Sequence, residues 1–173
     1  AAKALGLSDL AVHVKGLEPA GYDPRTLQGR GLAYATSDRG ACHLRTTFYK
    51  PELAGMIPPD AVDGKAAMLI EFEDRLTIFD TLILCRFFRD LYTWDELTQV
   101  IGLTTGLDAS EAALKRRAAA IADMTREFNL REGLTPADDR LPDRIHREPL
   151  PSGKELPREA FDAMLADYYR LRN

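Results

Sequence analysis

The sequence predicts an all-α chain, an irregular multi-helix domain of roughly four or five helices with long Pro-rich loops and little or no sheet. Three observations carry this reading. Apolar residues recur three or four apart over long stretches, which is the period of one helix face. Paired cap signals, Thr93 with Glu96 and Asp108 with Glu111, stand just before two of those stretches. Period-two alternation is weak and confined to Ser8–Val14, which reads as a short extended segment. The loops are too long and too varied for a symmetric bundle.

The elements follow in order. Ala1–Leu7 reads as the end of a helix cut from upstream sequence, and Gly16–Pro24 as a Gly/Pro loop. Asp23 is placed to cap a helix with Pro24 in its first turn, where a missing N–H costs nothing. That helix runs to Ser37 through the small residues Gly29, Gly31, Ala33 and Ala35, a face that lets another backbone or a ligand come close. Asp38-Arg39-Gly40 stops it, and Pro51–Asp60 is a connection. From Asp63 to Phe88 the spacing of Met68, Phe72, Leu76, Phe79, Ile83 and Phe87 predicts a long helix, with Glu71, Glu73, Asp74 and Arg75 on its polar side. Thr93 and Glu96 open a helix of about ten residues that ends near Gly102. Asp108 and Glu111 open the next, burying Leu114, Ala118, Ile121, Thr125 and Phe128 and closed by Gly133. Thr135–Pro157 holds five prolines and reads as an ordered wrapping arm or a loop. Pro157–Leu171 is a final amphipathic helix through Phe161, Met164, Leu165 and Tyr168.

Composition narrows the function classes. The 173 residues fit one domain or one piece of a larger protein, and 45% of them are hydrophobic, enough for a core. A net charge of -4 and a pI of about 5.4 argue against a nucleic-acid binder. The longest apolar-rich stretch, Leu76–Phe88, is broken by Thr77, Asp80, Thr81 and Arg86, so no membrane span is expected. No secretory signal is visible, and two cysteines are too few for a disulfide framework. A reduced cytoplasmic setting is the simpler reading.

Two segments hold residues suited to chemistry. Arg39-Gly40-Ala41-Cys42-His43-Leu44-Arg45 packs two guanidiniums, a thiol and an imidazole into one turn. Cations beside a thiol favour a reactive thiolate, and His titrates near neutrality. A solvated turn with one buried Cys fits the same residues. The second is Asp80-Thr81-Leu82-Ile83-Leu84-Cys85, on the apolar helix pattern. A carboxylate there needs a partner, for which Arg86 or Arg75 is at hand. Neither Cys belongs to a CxxC pair, so a complete metal site within the chain is not expected. His13 and His146 have no second ligand type at useful spacing and read as surface or hydrogen-bonded residues.

Taken together, several segments resemble the aldehyde:ferredoxin oxidoreductases. They are Lys15-Gly16-Leu17-Glu18, Tyr22-Asp23-Pro24-Arg25, the block from Gly31 to Arg45, Phe128–Gly133, Asp138–Arg144 and Met164–Tyr169, in family order over nearly the whole chain. The resemblance implies that residues 1–173 are the C-terminal helical domain of a larger chain, whose upstream domains complete the enzyme. Family members hold tungsten, or molybdenum in relatives, between paired pterin dithiolenes beside a 4Fe-4S cluster.

The family segment Asp-x-x-Gly-Leu-Cys falls on Asp80–Cys85, with Ile83 where the motif has Gly. It implies that Asp80 accepts hydrogen bonds from a pterin, that Leu84 belongs to the same motif, and that Cys85 is the fourth iron ligand. His43 falls on the His beside the metal and the substrate carbonyl, and Arg45 on a basic residue facing a pterin. Arg39 and Arg45 suit bidentate contact with the dithiolene phosphates on chemical grounds. Cys42 is given no ligand role and is expected to pack beside the site.

The implied activity is oxidation of a small aldehyde to a carboxylic acid with electrons passed to ferredoxin. The chain alone is expected to be inactive, without tungsten or a stoichiometric cluster. The alternatives are a related tungsten enzyme that reduces acyl thioesters or carboxylic acids, and a cofactor-free helical module. Neither nucleic acid nor membrane is an expected partner, and homo-oligomerisation is left open.

Overall fold

The computed structural model describes residues 2–172. Among them are seven α-helices: α1 (Gln28–Thr36), α2 (Tyr49–Leu53), α3 (Lys65–Thr81), α4 (Trp94–Thr105), α5 (Glu111–Arg131), α6 (Asp143–Arg147) and α7 (Arg158–Arg172). Short 3-10 turns lie at Lys3–Leu5, Ser8–Leu10, Arg86–Phe88 and Pro136–Asp138. No strand occurs among the described residues, where extended pairing is limited to a bridge between Val14 and Leu17. The all-α expectation is met. The upstream helix end and the extended segment predicted over 1–14 are largely these 3-10 turns instead, and Ala1 lies outside the described residues.

The chain forms two compact units, one made of the residues up to Leu69 together with those from Leu134 onward, the other of Ile70–Gly133. In the first, α1 is the central element, with Leu32, Ala33, Tyr34 and Ala35 at most 1% exposed. Its small residues are matched by the chain itself. A Cβ on Gly29 would sit 2.4 Å from the Phe48 ring, and one on Gly31 would sit 3.1 Å from Leu141 and from Pro24. The close approach predicted for this face is therefore made by other side chains of the same unit. α7 packs on α1 and buries Phe161, Met164 and Tyr168 of the predicted stripe, while Leu165 is half-buried. Thr135–Pro157 is an ordered arm that contains α6 and buries Leu141, Ile145 and Leu156.

α1 starts later than Asp23 and Pro24 predict, because a distant residue caps it. The Glu52 carboxylate, on α2, accepts from the N–H groups of Gly29 (2.8 Å) and Arg30 (3.0 Å). The Lys65 ammonium donates to the same carboxylate at 2.9 Å, and both side chains are fully buried. Asp23 instead accepts from the Arg25 N–H and guanidinium and holds a turn. At the other end of α1, Lys15 donates to the carbonyls of Ala35 (2.6 Å) and Ser37 (2.7 Å) and pairs with Asp139 at 2.6 Å. The Tyr169 hydroxyl donates to the second oxygen of Asp139.

The second unit closes around Leu76, Phe79, Trp94, Leu97, Ile101, Leu114 and Ala118. α4 begins with the predicted capping box, the Thr93 N–H donating to Glu96 at 2.8 Å. It runs past Gly102 and stops at Gly106, whose φ is +69°. Ser110 rather than Asp108 caps α5, its hydroxyl accepting from the Ala113 N–H, while Asp108 accepts from the Ser110 N–H. Only the first half of α5 is buried as predicted; Ile121 and Thr125 are half-buried and Phe128 is exposed. The indole N–H of Trp94 donates to Glu71 at 2.5 Å, and Lys115 pairs with Glu71 and Glu111.

Candidate functional site

The first group of candidate residues lies on the loop after α1. Gly40 has φ +97°, and a Cβ there would lie 2.1 Å from the Val14 carbonyl oxygen, so only glycine fits this exit. The turn wraps around Cys42, which is 3% exposed. Its Sγ accepts from the Arg39 guanidinium at 2.9 Å and from the Leu44 N–H at 3.4 Å. Burial pushes the thiol pKa up, but the Leu44 N–H, Arg39 and the Arg45 N–H together outweigh it and hold the pKa below the usual thiol range. Cys42 is therefore an enclosed thiol whose ionisation is favoured by the donors around its sulfur.

His43 is half-buried, with its ring 6.1 Å from that of Tyr22, which in turn stacks on Tyr49 at 4.2 Å. Burial lowers the imidazole pKa, and the positive charges of Arg30 and Arg39 lower it further. His43 is thus neutral near pH 7, with one ring nitrogen able to accept a proton and the other to donate. Arg45 donates through Nε to Asp38 at 2.9 Å. Both predicted phosphate-facing guanidiniums therefore have a partner within the loop. Arg30, which sequence reasoning passed over, lies fully buried on α1 and donates to the Cys42 carbonyl. Its signal was a charged residue set between Gly29 and Gly31 on an otherwise apolar face.

The second group lies where α3 ends. The periodicity extends the helix to Phe88, but α3 stops at Thr81 and the chain reverses. The Ile83 N–H donates to the Asp80 carbonyl (2.9 Å) and the Leu84 N–H to the Phe79 carbonyl (3.4 Å), the paired bonds of a Schellman C-cap. That motif puts its C′ residue in the left-handed region, here Ile83 at φ +57°. Leu84, the next residue, packs against the core cluster that contains Phe79. Asp80 and Cys85 are therefore not on one helix. They flank the reversal, with Asp80 in the last turn of α3 and Cys85 in extended backbone beyond it. Arg86 Nε donates to Asp80 at 2.7 Å, and its Nη2 donates to the second carboxylate oxygen, so Arg86 is the expected partner. Arg75 is turned to the carbonyls of Arg89 and Tyr92.

Cys85 is exposed, and so are Ile83 (93%) and Phe87 (89%), which the helical pattern predicts as buried. Among the described residues no group of three or more His, Cys, Asp and Glu side chains could hold a metal ion. An accessible thiol on anchored backbone nevertheless fits the role of a single ligand to a cluster whose other ligands come from elsewhere. The two groups fall in separate units, Arg39, His43 and Arg45 in the first and Asp80, Leu84 and Cys85 in the second. His146 is hydrogen-bonded through Nδ1 to the Leu156 carbonyl (3.0 Å), and His13 is exposed and accepts from the Gly16 N–H, as expected.

Comparison with known proteins identifies relatives. The family described as aldehyde ferredoxin oxidoreductase, domains 2 and 3, matches residues 1–173. The chain is 37% identical to the tungsten-containing aldehyde ferredoxin oxidoreductase of Pyrococcus furiosus, over 99% of this chain and 29% of that protein. It is 36% identical to the protein of the same name from Thermococcus kodakarensis, with the same coverage. The Pyrococcus horikoshii protein is 36% identical over 92% of this chain and 27% of its own length. The chain thus spans less than a third of these relatives, and no helix among the described residues is long and apolar enough to cross a membrane. Matched along its whole length, it belongs to the aldehyde ferredoxin oxidoreductase family.

Proposed function

We propose that this chain is the C-terminal helical part of an enzyme that oxidises aldehydes to carboxylic acids and passes the electrons to ferredoxin. The observation that carries the reading is the Asp80–Cys85 reversal, which offers an exposed thiol on backbone fixed by the Schellman bonds and by Leu84. The names of its relatives add tungsten.

When bound, a tungsten or molybdenum bis-pterin group would take up the two electrons released as aldehyde and water become carboxylic acid, and a 4Fe-4S cluster would pass them on singly. This chain's own residues would do the following. The Cys85 thiolate would ligate one iron, with the remaining ligands supplied by upstream domains. Asp80, oriented by Arg86, would accept hydrogen bonds from pterin N–H groups. Arg39 and Arg45 would present guanidinium N–H groups to phosphate. His43, held neutral by burial and by neighbouring cations, would orient the aldehyde carbonyl or move a proton through a ring nitrogen. The exposed Ile83, Phe87 and Phe88 around Cys85 have the character of a face covered by another part of the parent protein.

The test is elemental analysis of the full-length parent, expressed anaerobically with tungstate and molybdate, together with its Cys85→Ser and His43→Ala variants. Tungsten or molybdenum with about four iron atoms per chain, and iron lost in Cys85→Ser, is the expected result. Full iron retention in Cys85→Ser removes the ligand role. Undiminished aldehyde oxidation in His43→Ala removes the substrate role.

A further inference from the structure

We propose that Arg30 is a positioning residue for His43, its buried guanidinium tying the two ends of the Cys42–Thr46 loop to α1. The proposal rests on the reading that His43 serves the substrate.

Arg30 is 0% exposed, and burying a guanidinium carries a large desolvation cost. Burial holds the Arg30 pKa below its usual range, and the nearby Tyr34, Cys42 and Glu52 offset that cost only in part. Among the described residues no carboxylate lies within ion-pair distance of the guanidinium, and its Nε has no hydrogen-bond partner. The charge is instead directed at the loop. One terminal nitrogen donates to the Cys42 carbonyl and the other to the Thr46 hydroxyl at 3.3 Å. These acceptors bracket His43, so one rigid fork spans the turn that carries the imidazole. The fork is fixed from behind, with Cζ 4.4 Å from the Tyr34 ring centroid and the Arg30 main-chain N–H held by buried Glu52. A residue that only filled this space would be apolar, at lower cost. Thr46 is 1% exposed and Thr47 has φ +49°, a conformation that needs tertiary support. Lys15 holds the carbonyls where α1 ends, and Arg39 and Arg45 brace the loop from its outer side. Arg30 is the grip from within.

Two variants separate the fork from the charge. Arg30→Lys keeps a cation but has one nitrogen for two acceptors, whereas Arg30→Met keeps length and loses both. On the full-length parent, amide hydrogen exchange would be followed by mass spectrometry at Cys42–Thr46 and on α4, with the His43 titration followed by NMR of ring-labelled histidine. Exchange in the loop is expected to rise roughly tenfold or more in both variants, with α4 unchanged. The His43 pKa is expected to rise in Arg30→Met, leaving Arg39 as the facing cation, and to stay depressed in Arg30→Lys. Loop exchange and His43 titration both unchanged in a folded Arg30→Met would overturn the proposal. If that variant does not fold, Thr46→Val removes one anchor alone, and unchanged loop exchange in it is equally fatal. In the metal-loaded parent, Arg30→Lys should lower kcat with KM little changed. Failure of the His43 reading is distinguishable: His43→Ala would then leave parent turnover intact while the loop exchange still responds to Arg30.

Discussion

Replacing Ile83 with glycine should stabilise the second unit. Ile83 sits at φ +57°, where an L-residue costs about 1–2 kcal/mol and a β-branched one is a clear outlier. Its side chain is 93% exposed, so removing it forfeits almost no packing. The substitution relieves that strain but adds backbone freedom to the unfolded chain, at a cost of about 0.5–1 kcal/mol. The balance is a gain of about 1 kcal/mol, or roughly 2–4 °C in melting temperature for a chain of this size. Ile83→Ala removes the β-branch but keeps a Cβ, and should recover less of the strain. The assay is urea unfolding followed by fluorescence of Trp94, the one tryptophan, which is buried in the core of the same unit. A lower midpoint for Ile83→Gly, or equal gains for glycine and alanine, would refute the strain argument. The motif that Asp80–Cys85 resembles has glycine here, and the C′ geometry supplies a conformational reason for glycine at this position.

Three other outcomes are expected. Gly40→Ala would place a Cβ 2.1 Å from the Val14 carbonyl at φ +97°, and should cost roughly 2–4 kcal/mol in urea unfolding; a neutral result would mean the loop exit can shift. Under native conditions iodoacetamide should modify Cys85 at least roughly ten times faster than Cys42, because exposure outweighs the depressed thiol pKa of the enclosed residue; peptide mass spectrometry reads the order. Burial lowers the pKa of both His146 and His43 below the usual 6.5, partly opposed at His146 by the Leu156 carbonyl. The unfolded chain therefore takes up protons first, so this contribution to stability is complete above the unfolded value and is lost as pH falls through the folded ones. The urea midpoint should drop between about pH 7 and pH 5.5, less so in His146→Gln, and a rise over that interval would contradict the burial argument.

Determinants that lie close together in sequence were the legible ones. The Thr93–Glu96 capping box is complete within one turn, and the stripe Phe161, Met164, Tyr168 lies on one helix, so both are found where predicted. The start of α1 was not legible because its cap is Glu52, which reaches the Gly29 N–H from α2, while Asp23 is occupied with Arg25. The end of α3 was misread for the opposite reason. Ile83 and Phe87 continue the apolar period, but they extend into solvent on a reversed chain, and periodicity cannot distinguish a buried stripe from an exposed one. The candidate loop was visible as a cluster of chemical groups in Arg39–Arg45. What holds it was not, because Arg30 and Lys15 act across 12 and 20 residues or more through carbonyl oxygens that every residue carries.

The Lys15–Asp139–Tyr169 contact also bears on how the protein is made. It joins a residue near the start of the chain to one on the late arm and one on α7, with all of Ile70–Gly133 between. Synthesis is vectorial, so Ile70–Gly133, contiguous in sequence, can fold while the ribosome is still at work. The first unit cannot: α1 would wait for Leu141, Leu156 and α7 to cover its apolar faces. During that interval Leu32 and Tyr34 lack the cover that the later residues of their own unit provide. The inner element of the His43 unit is thus made well before the residues that enclose it.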